Sequence, residues 1–157
     1  MPGHIRMRRD LAAPLAPSRL PAGVSLVPFG RETMRAAHEL MQRVYPEGPN
    51  DNGISFDGFW EWLTTDSEFD PGLIFIAASD GDVVGLCHCW SVPFIKDLAV
   101  DPTFRRRGLG TALLTLALQT FRDRGSASVD LKTEPGNHEA QSLYRRLGFV
   151  EVERVDA

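Results

Sequence analysis

Leu98-Ala99-Val100-Asp101-Pro102-Thr103-Phe104-Arg105-Arg106-Arg107-Gly108-Leu109-Gly110-Thr111-Ala112-Leu113 is the stretch on which the fold turns. Phe94 to Val100 reads as a strand, and Asp101-Pro102 ends it. Gly108 to Arg124 then carries Leu109, Leu113, Leu116 and Thr120 at helical spacing, with Ala112, Ala117 and Phe121 widening the stripe. The first N–H groups of a helix have no partner inside it, and the helix dipole makes that end positive. An anion bound there answers both. Gly108 and Gly110 lack a Cβ, so their backbone can approach phosphate oxygens closely. Arg105, Arg106 and Arg107 add charge-assisted contacts. A Walker A loop would need Gly-Lys-Ser/Thr, which is absent, and a dinucleotide fingerprint would need a third glycine where Leu113 stands. Taken alone, these residues leave open a solvated arginine cluster beside a helix N-terminus.

Outward from this run the punctuation is regular. Downstream, Gly125 can end the helix, Ala127 to Thr133 reads as a strand, and Pro135-Gly136 turns. Asn137 can cap a helix with Ala140, Leu143, Tyr144 and Leu147 on one face; Gly148 stops it, and Phe149 to Val152 is a last strand. Upstream, Leu73 to Ala78 and Val83 to Trp90 are strands joined by an Asp80-Gly81 hairpin turn. Before them come a short strand at Val24 to Val27, a helix from Arg31 to Val44, a loop from Pro46 to Gly53, and a helix carrying Phe56, Phe59, Trp60 and Leu63. The order β-α-α-β-β-β-α-β-α-β predicts an α/β (α+β) domain, a mixed sheet flanked by helices.

Two separated motifs make the sequence resemble the GCN5-related N-acetyltransferases, the GNAT superfamily. The first is Leu98-Ala99-Val100-Asp101-Pro102 followed by Arg105-Arg106-Arg107-Gly108-Leu109-Gly110; the second is Asn137, Ala140 and Leu143-Tyr144-Arg145-Arg146-Leu147-Gly148-Phe149. The likeness is clear from about Leu73 to Val152. It implies a mostly antiparallel central sheet and acetyl-CoA as the co-substrate. It further implies that backbone of Leu98 and Val100 pairs with the pantetheine arm, and that backbone of Arg105, Arg106, Arg107, Gly108, Gly110 and Thr111 holds the pyrophosphate. Asn137 would bond the pantetheine or the adjacent backbone, and Tyr144 would face the sulfur. The implied reaction is direct attack of an amine on the acetyl thioester. A non-catalytic module that binds acyl-CoA and regulates is the alternative. One further strand is implied after Val152; the residues leave open whether it is missing, displaced or supplied by the other subunit of a homodimer.

That reaction sets tasks. A primary amine with a pKa near 10 is only about a thousandth neutral at pH 7, so its proton needs a base or a water relay. The oxyanion needs a backbone donor, expected on the strand ending at Val100. The departing thiolate needs a proton, which Tyr144 can give if held close. Tyr144 also lies on an apolar stripe, where a purely structural role is the other reading. Asp97, just before Leu98, is the candidate base or acceptor-binding group; pairing with Lys96 is its alternative. Glu134 is a weaker candidate base. Cys87 and Cys89 share a strand face with His88 turned away, and no second ligand pair follows, so no metal is expected.

Charge is unevenly spread. No Lys or Arg lies between Arg43 and Lys96, while Glu47, Asp51, Asp57, Glu61, Asp66, Glu68, Asp70, Asp80 and Asp82 do. With Tyr45, Phe56, Phe59, Trp60 and Trp62 nearby, this half suits a cationic amine acceptor, a small molecule or a peptide amine. Its acidity argues against nucleic acid as a partner. Residues 1–23, with Arg6, Arg8, Arg9 and Arg19 among Ala and Pro, read as a flexible basic arm, leaving 24–157 as the single acetyltransferase-like domain. The chain has only two cysteines, which fits a reducing, cytoplasmic setting, and no apolar run long enough to span a bilayer.

Overall fold

In the computed structural model, residues 3–45 and 55–156 are described. The loop read at Pro46 to Gly53 lies outside them. Seven strands form one sheet: β1 (His4–Asp10), β2 (Ser25–Val27), β3 (Ile74–Ser79), β4 (Asp82–Trp90), β5 (Phe94–Val100), β6 (Ser128–Thr133) and β7 (Val150–Val155). Their spatial order is β2-β3-β4-β5-β6-β1-β7, antiparallel throughout except for the parallel pair β5–β6. Helices α1 (Arg31–Val44) and α2 (Phe56–Thr65) cover one face, and α3 (Leu109–Asp123) and α4 (His138–Arg146) the other. The mixed, mostly antiparallel α/β class read from the sequence is the class observed.

Two cores result. Met34, Ala37, Leu40 and Met41 of α1 pack with Phe59 and Leu63 of α2 against Ile76, Leu86 and Ala99. On the opposite face Leu109, Leu113, Ala117 and Phe121 of α3 meet Cys87, Cys89, Ile95, Val129 and Leu131. α3 approaches the sheet closely at Gly85, where an added Cβ would fall 2.9 Å from Leu113 and 3.1 Å from Leu109. That closeness brings the N-terminal turn of α3 beside β5.

The flexible-arm reading of residues 1–23 is corrected. His4–Asp10 is a strand inserted between β6 and β7, hydrogen-bonded to both. Ile5 and Met7 are fully buried, and Arg9 nearly so. Arg6 and Arg8 point to the other face, where both bond Asp130. The Arg9 guanidinium donates to the carbonyls of Leu147 at 2.7 Å and Pro14 at 2.8 Å, tying the strand to the C-terminal end of α4. Beyond β1 the chain runs over α3: Leu15 and Leu20 pack on the α3-side core, and the Ser18 hydroxyl donates to the Ala112 carbonyl at 2.8 Å. This cover explains why Leu114 and Leu118, off the expected α3 stripe, are buried. The described strand beside β7 is thus β1, from the N-terminal side of the same chain.

Candidate functional site

Two irregularities of β5 create the site. The first is a β-bulge. His88 pairs with Asp97 and the next residue, Cys89, with Ile95, so Lys96 is the extra residue. The second is a splay. β5 and β6 pair only at Phe94–Asp130 and Ile95–Leu131, then diverge. From Lys96 to Val100 the β6-facing edge of β5 therefore has no strand neighbour among the described residues. A parallel pair cannot be closed by a hairpin, and here the strands separate around the N-terminal ends of α3 and α4.

A cleft of about 580 Å³ fills the splay. Leu98 and Val100 form one wall, and Asn137, Ala140, Leu143 and Tyr144 of α4 the other; Arg105, Arg106, Gly108, Gly110 and Thr111 close the end. Gly108 is the N-cap of α3 with φ +85°, a left-handed conformation that side chains with a branched Cβ rarely adopt. Arg106, also left-handed at φ 62°, makes the loop turn twice within three residues. Backbone turns of this kind can form concave sites whose N–H groups suit an anion. An added Cβ at Gly110 would lie 3.6 Å from Leu143 and 3.7 Å from Val100, so the helix start lies directly between the two walls. The glycine-rich helix start, a strand edge without a strand neighbour and the cleft between them fit a pyrophosphate carrying an extended amide-bearing arm. Fit to coenzyme A is thus a matter of shape and donor groups together.

Each sequence candidate has a place. Leu98, Val100, Arg105, Arg106, Gly108, Gly110, Thr111, Asn137 and Tyr144 all line the cleft. Arg107 is turned onto the Phe104 ring, 5.0 Å from its centroid, and does not line it. Asn137 caps α4, its Oδ1 accepting from the Ala140 N–H at 3.2 Å. Tyr144 packs its ring 5.9 Å from Phe149 against the core and also lines the cleft. Burial, then Tyr45 and Cys87, pushes its phenol well above the usual value, so it keeps its proton at neutral pH. Asp97 is apart from the cleft lining, with an Oδ2 3.3 Å from Lys96 Nζ and 3.6 Å from Nδ1 of the buried His88. Glu134 carries its backbone role instead, its carbonyl accepting from the Gln141 amide at 3.1 Å.

Three residues, Arg146, Glu139 and Gln141, contribute without having a role assigned from the sequence. Arg146 and Glu139 line the cleft from α4, on the same face as Ala140 and Leu143; the i, i+3, i+4, i+7 spacing carried that signal. Gln141, buried, bonds the carbonyls of both Glu134 and Pro135 and so fixes the turn that presents Asn137. Tyr45, counted in the sequence among the aromatics of the acceptor half, instead lines the cleft beside Leu98 and Tyr144, from the end of α1. Among the described residues, no group of three or more His, Cys, Asp or Glu is placed to hold a metal ion. No helix among them is long and apolar enough to cross a membrane.

The aromatic half is arranged differently from its sequence reading. Arg35 stands over Phe56 at 4.3 Å, and Arg31 over both Phe56 and Trp60. Lys96 stands over Trp62 at 5.5 Å. The ring faces of these three residues thus already carry cations of the chain itself.

Comparison with known proteins agrees with this geometry. The model of the acetyltransferase (GNAT) family matches residues 34–149. Mycothiol acetyltransferase of Beutenbergia cavernae is 34% identical over 151 residues, covering 91% of this chain and 50% of its own length. The chain spans about half the length of the curated mycothiol acetyltransferases it matches. Among solved structures, a GCN5-related N-acetyltransferase from Sphaerobacter thermophilus superposes with a TM-score of 0.82 at 24% identity, over 97% of this chain and 49% of that one. An aminoglycoside N-acetyltransferase in complex with CoA superposes at 0.65 with 22% identity, over 85% of this chain and 92% of its own. At these identities the structural likeness speaks for the fold.

Proposed function

Because the chain belongs to the acetyltransferase (GNAT) family, we propose that it moves an acetyl group from acetyl-CoA to a primary amine by direct attack. The observation that carries the reading is the cleft. It joins the left-handed cradle at the start of α3, the unpaired edge of β5 and the protonated phenol of Tyr144. In this reading the α3 N-terminus holds the pyrophosphate with Arg105 and Arg106 beside it. The pantetheine arm lies along Leu98 and Val100 as an added strand. A backbone N–H of β5 near the bulge receives the oxyanion, and Tyr144 returns a proton to the departing thiolate. Asp97 is the carboxylate assigned to the acceptor's ammonium group, as base or as anchor.

The acceptor class follows from the acidic half. With Phe56, Trp60 and Trp62 covered by Arg31, Arg35 and Lys96, recognition of a cationic amine rests on carboxylates rather than ring faces. The names of the relatives, a mycothiol acetyltransferase and an aminoglycoside N-acetyltransferase, are in keeping with a small-molecule acceptor. Thiol release from acetyl-CoA, followed with a panel of cationic, neutral and anionic amines, tests both parts. Turnover greatest with cationic amines is expected. Best turnover with neutral or anionic amines would overturn the acceptor class, and binding of acetyl-CoA without turnover on any amine would favour the non-catalytic acyl-CoA module.

A further inference from the structure

Tyr45 ends α1 as its C-cap, its N–H returning to the Met41 carbonyl at 2.8 Å. Its phenol hydroxyl donates to the Leu98 carbonyl oxygen at 2.7 Å. Leu98 lies on β5 beyond the last residue that pairs with β6, so this stretch is the part of the strand left open by the splay. Tyr45 lines the same cleft as Val100 and Tyr144.

The proposed function, on which this inference rests, gives the same carbonyl a second claimant. A pantetheine arm added to β5 as a strand would direct an amide N–H to it. A main-chain carbonyl withdrawn from water is costly to leave without a donor. Without ligand, the Tyr45 hydroxyl supplies that donor. We propose that Tyr45 is a gate on the coenzyme A site: its phenol and the pantetheine arm occupy the Leu98 carbonyl in turn, and cofactor binding releases Tyr45 from β5.

Two consequences follow. The observed affinity for coenzyme A is lower than the intrinsic affinity of the open site, because part of the binding free energy goes into opening it. The released phenol moves out of the cleft only when the thioester is in place, so the acceptor meets its final surroundings after the cofactor has bound. The gate therefore favours cofactor first, amine second.

Tyr45→Phe tests this directly. It keeps the ring and its packing and removes the hydroxyl alone. Binding of coenzyme A is measured by calorimetry for wild type and variant. Tighter binding by the variant, roughly two- to tenfold as expected for loss of one competing hydrogen bond, supports the gate. Equal or weaker binding by the variant, with wild type binding normally, overturns the gate and leaves the proposed function standing. No binding by wild type overturns the proposed function, and the gate with it. Should the variant fold poorly, wild type labelled on its tyrosine rings gives the answer, since the chain has only two tyrosines. The Tyr45 resonance should shift toward a solvated phenol on adding coenzyme A, and a Tyr45 resonance that keeps its hydrogen-bonded position in the saturated complex overturns the gate.

Discussion

Asp130 accepts from Arg6 at 2.6 Å and from Arg8 at 2.7 and 3.0 Å, and is 6% exposed. The Arg8 hydrogen bond, helped by Arg6 and opposed by burial, holds its carboxyl below the usual value of 3.8. A carboxylate whose folded value is depressed stabilises the fold above its unfolded value and loses that contribution as pH falls through the folded one. The stabilisation is thus complete above about pH 5 and is lost as acid takes the pH below 3.8. Asp130→Asn should cost roughly 1–3 kcal/mol at pH 7 in urea unfolding and flatten the acid limb of the stability profile. An unchanged acid limb would remove Asp130 as its source. Tyr144 makes the other residue-scale prediction. Tyr144→Phe should lower kcat by about 100-fold or more while leaving acetyl-CoA affinity nearly unchanged, as removal of a general acid does. An unaffected kcat in steady-state assays would return Tyr144 to a packing role. The residue scale is also where the sequence was most legible for the cofactor and least for the acceptor. Gly108, Gly110, Asn137 and Tyr144 declare themselves within short motifs. The Tyr45–Leu98 contact joins residues far apart in the chain, and nothing local announces it.

Among the elements, β1 is the one that alters the picture. Its alternation of Ile5 and Met7 with Arg6 and Arg8 is a strand pattern, but with Arg9 following, the run reads as a charged tail. What makes Arg9 buriable is a set of carbonyl acceptors contributed by Leu147, Asp10 and Pro14, two of them close in sequence and one at the far end of the chain. The partners that make β1 a strand lie in β6 and β7, over a hundred residues away, where local reading has no reach. The Lys96 bulge was hidden for a different reason: no glycine or proline marks it, and it exists only as a mismatch of register between β4 and β5. By contrast the β5–loop–α3 unit is contiguous, and its turn chemistry, capping and periodicity all agree, so it was legible whole. Met7→Ala separates the two views of the N-terminal segment. Met7 is fully buried, so the loss should be about 2–5 kcal/mol by chemical denaturation. A flexible arm would give a change within about 0.5 kcal/mol.

At the scale of the molecule, the sheet carries one core on each face, and the cleft opens where its single parallel pair comes apart. The family was readable because two motifs, at β5–α3 and at α4, are brought by that splay to opposite walls of one cleft. The acceptor was not, because the residues that would select it come from separate elements and are already engaged with one another. The central claim is that the start of α3 binds the pyrophosphate of acetyl-CoA. Calorimetric titration of acetyl-CoA into wild type and Gly108→Val tests it most directly. Gly108 has open space around its missing Cβ, so the substitution acts through its left-handed backbone rather than by a clash. One-to-one binding by wild type is predicted, with affinity at least about tenfold weaker in Gly108→Val, while the backbone strain lowers the melting temperature by only about 2–10 °C and leaves the variant folded at the assay temperature. Absence of binding by wild type, or equal binding by both, would contradict the claim.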